Sequence, residues 1–231
     1  MSESAERQTQ PIAVLVSSGV AYVTVLAGTG AVGSNYVLDA GELTIGDGSA
    51  GIDLSADPSI SGLQATLLNE DGAVSLRCDQ NNQNVFLRRR SPTPLELGDH
   101  FIVGSQRLRV AECNDDRPFT WEDGTQLFTS PRRKGSFLVE QLLSGGRRGA
   151  SASNSEDLVP IGADGTMMSL AHDPTVSTAH AIVQRGEDGV ILVSDQDSLN
   201  GVYTPVQGVE SLESGDLFWV GNQLLRVDIS A

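Results

Sequence analysis

Apolar residues in this chain come in short runs: IAVLV (12–16), AYVTVLA (21–27), FLVEQLL (137–143), AIV (181–183) and VILVS (190–194). They are rich in Val, Leu and Ile, and turn-forming residues separate them. Asn69-Glu70-Asp71-Gly72, Gly186-Glu187-Asp188-Gly189, Leu97-Gly98-Asp99 and Ser214-Gly215-Asp216 are the clearest breaks. No window spaces its apolar residues as a helix of ten or more residues would. Short strands with a turn signal roughly every 8–12 residues predict an all-β antiparallel sandwich.

The pattern occurs twice. LELGDHFIVGSQRLRV (95–110) matches LESGDLFWVGNQLLRV (212–227) at a shift of 117, with eleven of sixteen residues identical. IGDGSAGIDLSADPSISGLQA (45–65) aligns with IGADGTMMSLAHDPTVSTAHA (161–181) at a shift of 116. The chain therefore reads as two copies of one module, each long enough to bury a core. The expected division is a disordered tail at 1–10, a first module at 11–112, a linker at 113–134 and a second module at 135–231. Inside the second module, the Gly/Ser-rich segment 144–157 reads as an inserted mobile loop. Ile45/Ile161, Leu54/Leu170, Val103/Val220 and Leu108/Leu225 are expected to be buried at equivalent core positions.

Composition narrows the function. With 30 acidic and 15 basic residues, the formal net charge of -15 disfavours nucleic acid and anionic membranes as partners. The basic clusters Arg88-Arg89-Arg90 and Arg132-Arg133-Lys134 read as solvated loops. No run is long enough to span a bilayer. The polar start MSESAERQTQP has no signal-peptide core, so the expected location is cytoplasmic. Cys78 and Cys113 form no CxxC pair, and reduced thiols are the expectation. Three histidines (His100, His172, His180) without metal-ligand spacing predict no metal site, and no cofactor is expected.

Gly28-Thr29-Gly30-Ala31-Val32-Gly33 is a literal GxGxxG after a strand-like run. A dinucleotide loop needs a helix to open at the second glycine. SNYVLDAGELTIG follows instead, so the segment reads as a hairpin turn.

Copy two carries several motifs in a fixed order: Ile161-Gly162; Asp173-Pro174 through Ser177 to His180; Asp195 through Ser198-Leu199-Asn200-Gly201; and Gly215-Asp216 through Gly221. Copy one follows with Ile45-Gly46, Asp57-Pro58 through Ser61, Asn82 and Asn84, and Gly98-Asp99 through Gly104. This order resembles the forkhead-associated (FHA) family, whose β-sandwiches read phosphothreonine peptides through loops at one end. The resemblance implies two tandem SMAD/FHA-like antiparallel β-sandwiches. It implies peptide- or phosphopeptide-binding roles for Ser177, Thr178, Ser198 and Asn200, and structural support from His180 and Gly201. It also exposes a departure. The family's phosphate-binding arginine follows the Ile-Gly pair, and here those positions are Asp47 and Ala163. Losing a charge-assisted hydrogen bond costs roughly 1.5–3 kcal/mol. In copy one, Gln64 stands at the histidine position and Gly62 removes a donor.

The expected function is a non-catalytic protein–protein interaction scaffold, independent of phosphate, whose partners are one or more proteins. The alternative is a phosphothreonine reader acting through copy two on a phosphoprotein of a Ser/Thr-kinase pathway. In that case Arg147, Arg148 or Arg185 would supply the missing cation. No catalytic constellation stands out, so no enzyme activity is expected.

Overall fold

The computed structural model describes residues 19–78, 82, 84–113, 121–125 and 135–230. The tail 1–10, the run 12–16, the basic cluster 132–134 and most of the linker lie outside the described residues. Copy one contributes β1 (Ala21–Ala27), β2 (Asn35–Leu38), β3 (Gly41–Gly46), β4 (Ile52–Asp53), β5 (Leu63–Glu70), β6 (Ala73–Cys78), β7 (Val85–Arg89), β8 (Thr93–Leu95), β9 (His100–Val103) and β10 (Gln106–Glu112). Copy two contributes β11 (Phe137–Leu143), β12 (Arg147–Ala152), β13 (Leu158–Gly162), β14 (Met168–Ser169), β15 (Ala181–Arg185), β16 (Ile191–Asp195), β17 (Val202–Pro205), β18 (Val209–Leu212), β19 (Leu217–Val220) and β20 (Gln223–Ile229). One 3-10 turn, Ser144–Gly146, is the sole helical element among the described residues. The protein is all-β.

Alternation explains the strands. In β1, Ala21, Val23 and Val25 are fully buried while Tyr22 and Thr24 face outward. The GxGxxG segment is the β1–β2 hairpin, closed by Gly33 N–H to Val25 O at 2.9 Å and Val25 N–H to Ser34 O at 3.1 Å. No helix follows it.

The strands assemble into three sheets. A ten-stranded sheet runs β12-β11-β10-β9-β17-β7-β19-β20-β1-β2. Two five-stranded sheets, β18-β6-β5-β3-β4 and β14-β13-β15-β16-β8, each face one half of it. The long sheet is symmetric under the repeat. From its two ends inward, β2 answers β12, β1 answers β11, β20 answers β10 and β19 answers β9, with β7 against β17 at the centre.

That order means the copies have exchanged their last strands. β1 of copy one pairs with β20 of copy two, and β10 of copy one pairs with β11 of copy two. β18 joins the copy-one sheet through β6, while β8 joins the copy-two sheet through β16. The cores follow suit. Core one packs Ile45, Leu54, Leu67 and Leu76 against Phe218, Val220, Leu225 and Val227. Core two packs Ile161, Leu170, Val183 and Val193 against Phe101, Val103, Leu108 and Val110. The four expected pairs are all buried, and within each core the partners come from opposite copies. Among the described residues, neither core is confined to one of the expected modules 11–112 and 135–231.

Two local expectations need correction. Residues 147–152, placed in a mobile loop, form β12 and pair with β11, with Ala152 buried. Backbone pairing holds this polar segment, so hydrophobic pattern did not reveal it. Arg88-Arg89-Arg90 is not a solvated loop either. Arg88 and Arg89 belong to β7 at the middle of the long sheet. Arg89 forks onto Glu210 and also donates to Thr204 Oγ1 and Pro205 O. Arg90 reaches Glu213 and Asp216 at 2.7 and 2.6 Å. These pairs tie the strand before the crossover to the other copy.

Candidate functional site: the loop ends of the two sandwiches

In copy two, the loops after β13 and after β16 meet at one end of the sandwich, and His180 joins them. It is fully buried. Its Nδ1 accepts the Ser177 N–H at 3.0 Å, so the ring proton sits on Nε2 and is donated to Gly201 O, also at 3.0 Å. Gly162 is required by a close approach. A Cβ there would lie 1.9 Å from Thr178 O, and one at Gly46 would lie 2.4 Å from Gly62 O. The Ile-Gly step is thus the floor on which the loop after it rests in both copies.

The predicted donors share this end but are not equally available. Ser198 is buried; its hydroxyl donates to Asp195 and accepts the Gly201 N–H at 2.9 Å. Asn200 donates its amide to Thr175 O at 2.7 Å. Ser177 Oγ accepts the Leu199 N–H at 3.1 Å and keeps its own proton to give. Thr178 is exposed, and its side chain makes no hydrogen bond among the described residues. Between Ser198 and Asn200 stands Leu199, 84% exposed. Ala163, the residue after the Ile161-Gly162 pair, packs against core two.

Copy one builds the same end from different groups. Gln64 donates to Ser61 O at 2.7 Å, and Asn82 donates back to Gln64 O at 2.7 Å. Asn82 Oδ1 accepts the Asn84 N–H at 2.8 Å, as Ser198 accepts that of Gly201. Asn84 reaches Ser59 O at 3.3 Å, matching the Asn200–Thr175 contact. Asp47 begins a turn closed by the Ala50 N–H.

The cations proposed for copy two divide. Arg185 lies at the end of β15 remote from Ala181 and donates to Gly189 O in the β15–β16 turn. It is therefore on the wrong end of the sandwich. Arg148 pairs with buried Glu140 at 3.2 Å, and Arg147 is exposed at the start of the edge strand β12. Sequence reasoning missed Arg88. A Cβ on Gly201 would sit 2.2 Å from Arg88 Nε and 2.9 Å from its Cζ, so the guanidinium lies on the backbone beside Asn200. It forms no hydrogen bond or ion pair among the described residues. It comes from copy one, and the pairing of β7 with β17 at the centre of the long sheet brings it here.

Two buried carboxylates fix the loop ends to the exchanged hairpins. Asp57 accepts from Ser59 N–H and Oγ in its own loop, and from Asn222 N–H, Asn222 Nδ2 and Gln223 Nε2 in the other copy. Asp173 repeats this with Thr175, then Ser105 and Gln106. Burial alone would raise the Asp57 pKa, but the hydrogen bonds from Ser59, Asn222 and Gln223 outweigh it and hold it at about 2. Asp173 is likewise held below the usual carboxylate range: burial opposes, and Ser105, Thr175 and Gln106 prevail. Gly104 and Gly221 complete the latches. A Cβ at either would strike the facing loop, at Val176 or at Ile60, at 2.6 Å.

The Gly-Asp turns are caps. Asp99 Oδ2 accepts the Glu96 N–H and Asp216 Oδ2 the Glu213 N–H. Cys78 and Cys113 are not joined in a disulfide, and burial, aided by Glu210, pushes the Cys78 thiol up to about 12. Among the described residues no cluster of His, Cys, Asp and Glu is placed to hold a metal ion, and no helix is long and apolar enough to cross a membrane.

No curated protein matches the chain. Among solved structures, it is similar to the FHA domain of CT664 protein from Chlamydia trachomatis, at 22% identity and a TM-score of 0.24, over 41% of this chain and 98% of that one. It is also similar to Mycobacterium tuberculosis EmbR in complex with a low-affinity phosphopeptide, at 19% identity and a TM-score of 0.24, over 48% of this chain and 27% of that one. The model of the FHA domain family matches residues 146–221, the span from the start of β12 to the end of β19 that carries the His180 loop end.

Proposed function

We propose that this protein is a non-catalytic protein-interaction scaffold that binds unphosphorylated segments at its loop ends. The FHA match over residues 146–221 supports an interaction module. The observation that carries phosphate independence is how the polar groups of copy two are spent. Ser198 and Asn200 are hydrogen-bonded within the loops, and position 163 holds a core-packed alanine where a cation is needed. What the loop end presents is Leu199 and Thr178. A phosphate dianion requires several converging donors with a guanidinium among them; an unphosphorylated peptide needs apolar contact and a few hydrogen bonds. The test is selection from matched peptide libraries, with and without phosphothreonine, and mapping of the winners by chemical shift. Unphosphorylated binders that shift residues 175–178 and 198–201 are expected. Micromolar binding that vanishes on dephosphorylation would overturn the reading.

One observation favours a second reading, a phosphothreonine reader through copy two. Arg88 is a cation beside Gly201 with no hydrogen bond or ion pair among the described residues, and Ser177 and Thr178 each retain a proton to donate. Under that reading, phosphopeptide binding is lost in Arg88→Gln and kept in Arg185→Gln.

A further inference from the structure

The exchange creates a cavity that neither copy has alone. It lies where the loop end of copy one meets the centre of the long sheet, and its volume is about 350 Å³. Ser59 and Asn84 come from the copy-one loops, Arg107 and Ile102 from the hairpin that completes core two, and Trp219 and Asn222 from the hairpin that completes core one. This volume falls in the range of small-ligand and side-chain pockets, about 300–1,000 Å³.

Its chemistry is specific. The Arg107 guanidinium stands 4.9 Å from the Phe86 ring centroid. It has no hydrogen bond or ion pair among the described residues. Burial pushes its pKa down, as expected of a cation that is partly out of water without a counter-ion. In a chain of net charge -15, an unpaired and half-buried arginine is conspicuous. Of the other basic side chains at the junction, Arg89 and Arg90 are matched to Glu210, Glu213 and Asp216, while Arg88 lies against Gly201 at the copy-two loop. Around Arg107 the walls are apolar at Ile102 and Trp219 and carry neutral amides at Asn84 and Asn222. The equivalent of Arg107 in the other copy is Leu224, so the cation is particular to this hairpin.

We propose that this inter-repeat cavity binds a carboxylate of a peptide partner, the acidic residue forking onto Arg107 while a neighbouring apolar side chain packs against Ile102 and Trp219. A guanidinium meets a carboxylate with two parallel hydrogen bonds. One cation neutralises a monoanion, and the surrounding donors are neutral. A phosphate dianion would leave a charge uncompensated, with the Asp57 carboxylate close behind Ser59 and Asn222. The proposal rests on the reading of the protein as a peptide-binding scaffold, and it names the partner's chemistry.

The probe is a synthetic array of decapeptides in which Asp, Glu, phosphothreonine or Asn precedes Leu, Phe or Ala. Hits are titrated into the full chain and followed by the Trp219 indole N–H signal. The variant Arg107→Leu places in this hairpin the residue that its sister hairpin carries, so the fold has a precedent for it; a matched melting temperature checks this. Peptides with Asp or Glu before Leu or Phe are expected to bind, and to lose at least about tenfold in affinity in Arg107→Leu. Arg107→Lys, which keeps the charge and loses the fork, should fall between. No binding by the acidic peptides would overturn the proposal, as would binding unchanged in Arg107→Leu. Loss on Arg88→Gln in place of Arg107→Leu would move the site to the copy-two loops, sinking this cavity while sparing the scaffold reading. Binding only by the phosphothreonine peptides would sink both.

Discussion

The two loop ends share a frame and differ in what fills it. At each, a buried aspartate gathers its own loop and the other copy's hairpin, Asp57 with Asn222 and Gln223, Asp173 with Ser105 and Gln106. At each, an asparagine spans to the carbonyl two residues beyond that aspartate. Yet copy two is braced by His180, whose ring bridges Ser177 to Gly201, while copy one relies on Gln64 and Asn82. The frame is what the strand exchange needs, and it has been kept twice. In the filling the copies have diverged. Each end also borrows an arginine from the other side of the exchange: Arg88 lies over the copy-two loop, and Arg107 faces the copy-one loop.

Removing a core side chain should break the comparison most strongly. Phe218 belongs to copy two in sequence and to core one in space. Phe218→Ala should cost about 3–5 kcal/mol. Hydrogen exchange should show the amides of β3, β5 and β6 losing protection before those of β13, β15 and β16. Phe101→Ala should give the mirror image. Damage that follows sequence copies in place of cores would show that the strands are not exchanged.

The latches come next. Asp57 and Asp173 have folded-state pKa values below their unfolded ones, so their stabilisation is complete above about pH 4 and is lost as pH falls. For Asp57 the loss runs down through about pH 2 and amounts to roughly 2 kcal/mol. Urea unfolding at pH 5 and at pH 2 should show a midpoint drop that is smaller in Asp57→Asn. An equal drop in the variant would mean that this carboxylate is no latch.

The divergence itself can be tested by exchanging the fillings. His180→Gln should lower stability by about 1–2 kcal/mol by loosening the Ser177–Gly201 bridge. Gln64→His should change it by less, because no glycine carbonyl is placed there in the same way: Asn84 stands where copy two has Asn200, and Val85 follows it. Thermal melts and the line widths of residues 175–178 would report both. A gain of about tenfold in phosphothreonine-peptide affinity is expected for Ala163→Arg, from one new bidentate contact. Titration of matched phosphorylated and unphosphorylated peptides checks it.

Much of this was legible in the sequence. Alternation and turn chemistry gave the strands, and the similarity at a shift of 116–117 gave the four buried pairs. The exchange was not legible, for a physical reason. The exchanged blocks 95–110 and 212–227 are so alike that each core position accepts either, and pattern carries no information about which hairpin goes where. The placements of Arg88 and Arg107 were hidden too, since each side chain lies against residues far from it in sequence. β12 was hidden because RRGASA is held by backbone pairing with little apolar burial. Ser177, Thr178, Ser198 and Asn200 lie together at one loop end of copy two. That Ser198 and Asn200 are committed to bracing it depends on hydrogen-bond geometry, which the motif does not encode.

The exchange is the centre of this account, and one cross-link tests it most directly. Tyr22 and Asp228 are paired across β1 and β20. If each copy kept its own hairpin, the repeat would put Ala111 where Asp228 now stands. In a background with Cys78→Ala and Cys113→Ser, Tyr22→Cys with Asp228→Cys should form an intramolecular disulfide under mild oxidation, and Tyr22→Cys with Ala111→Cys should not. A disulfide in the second pair and none in the first would contradict the exchange.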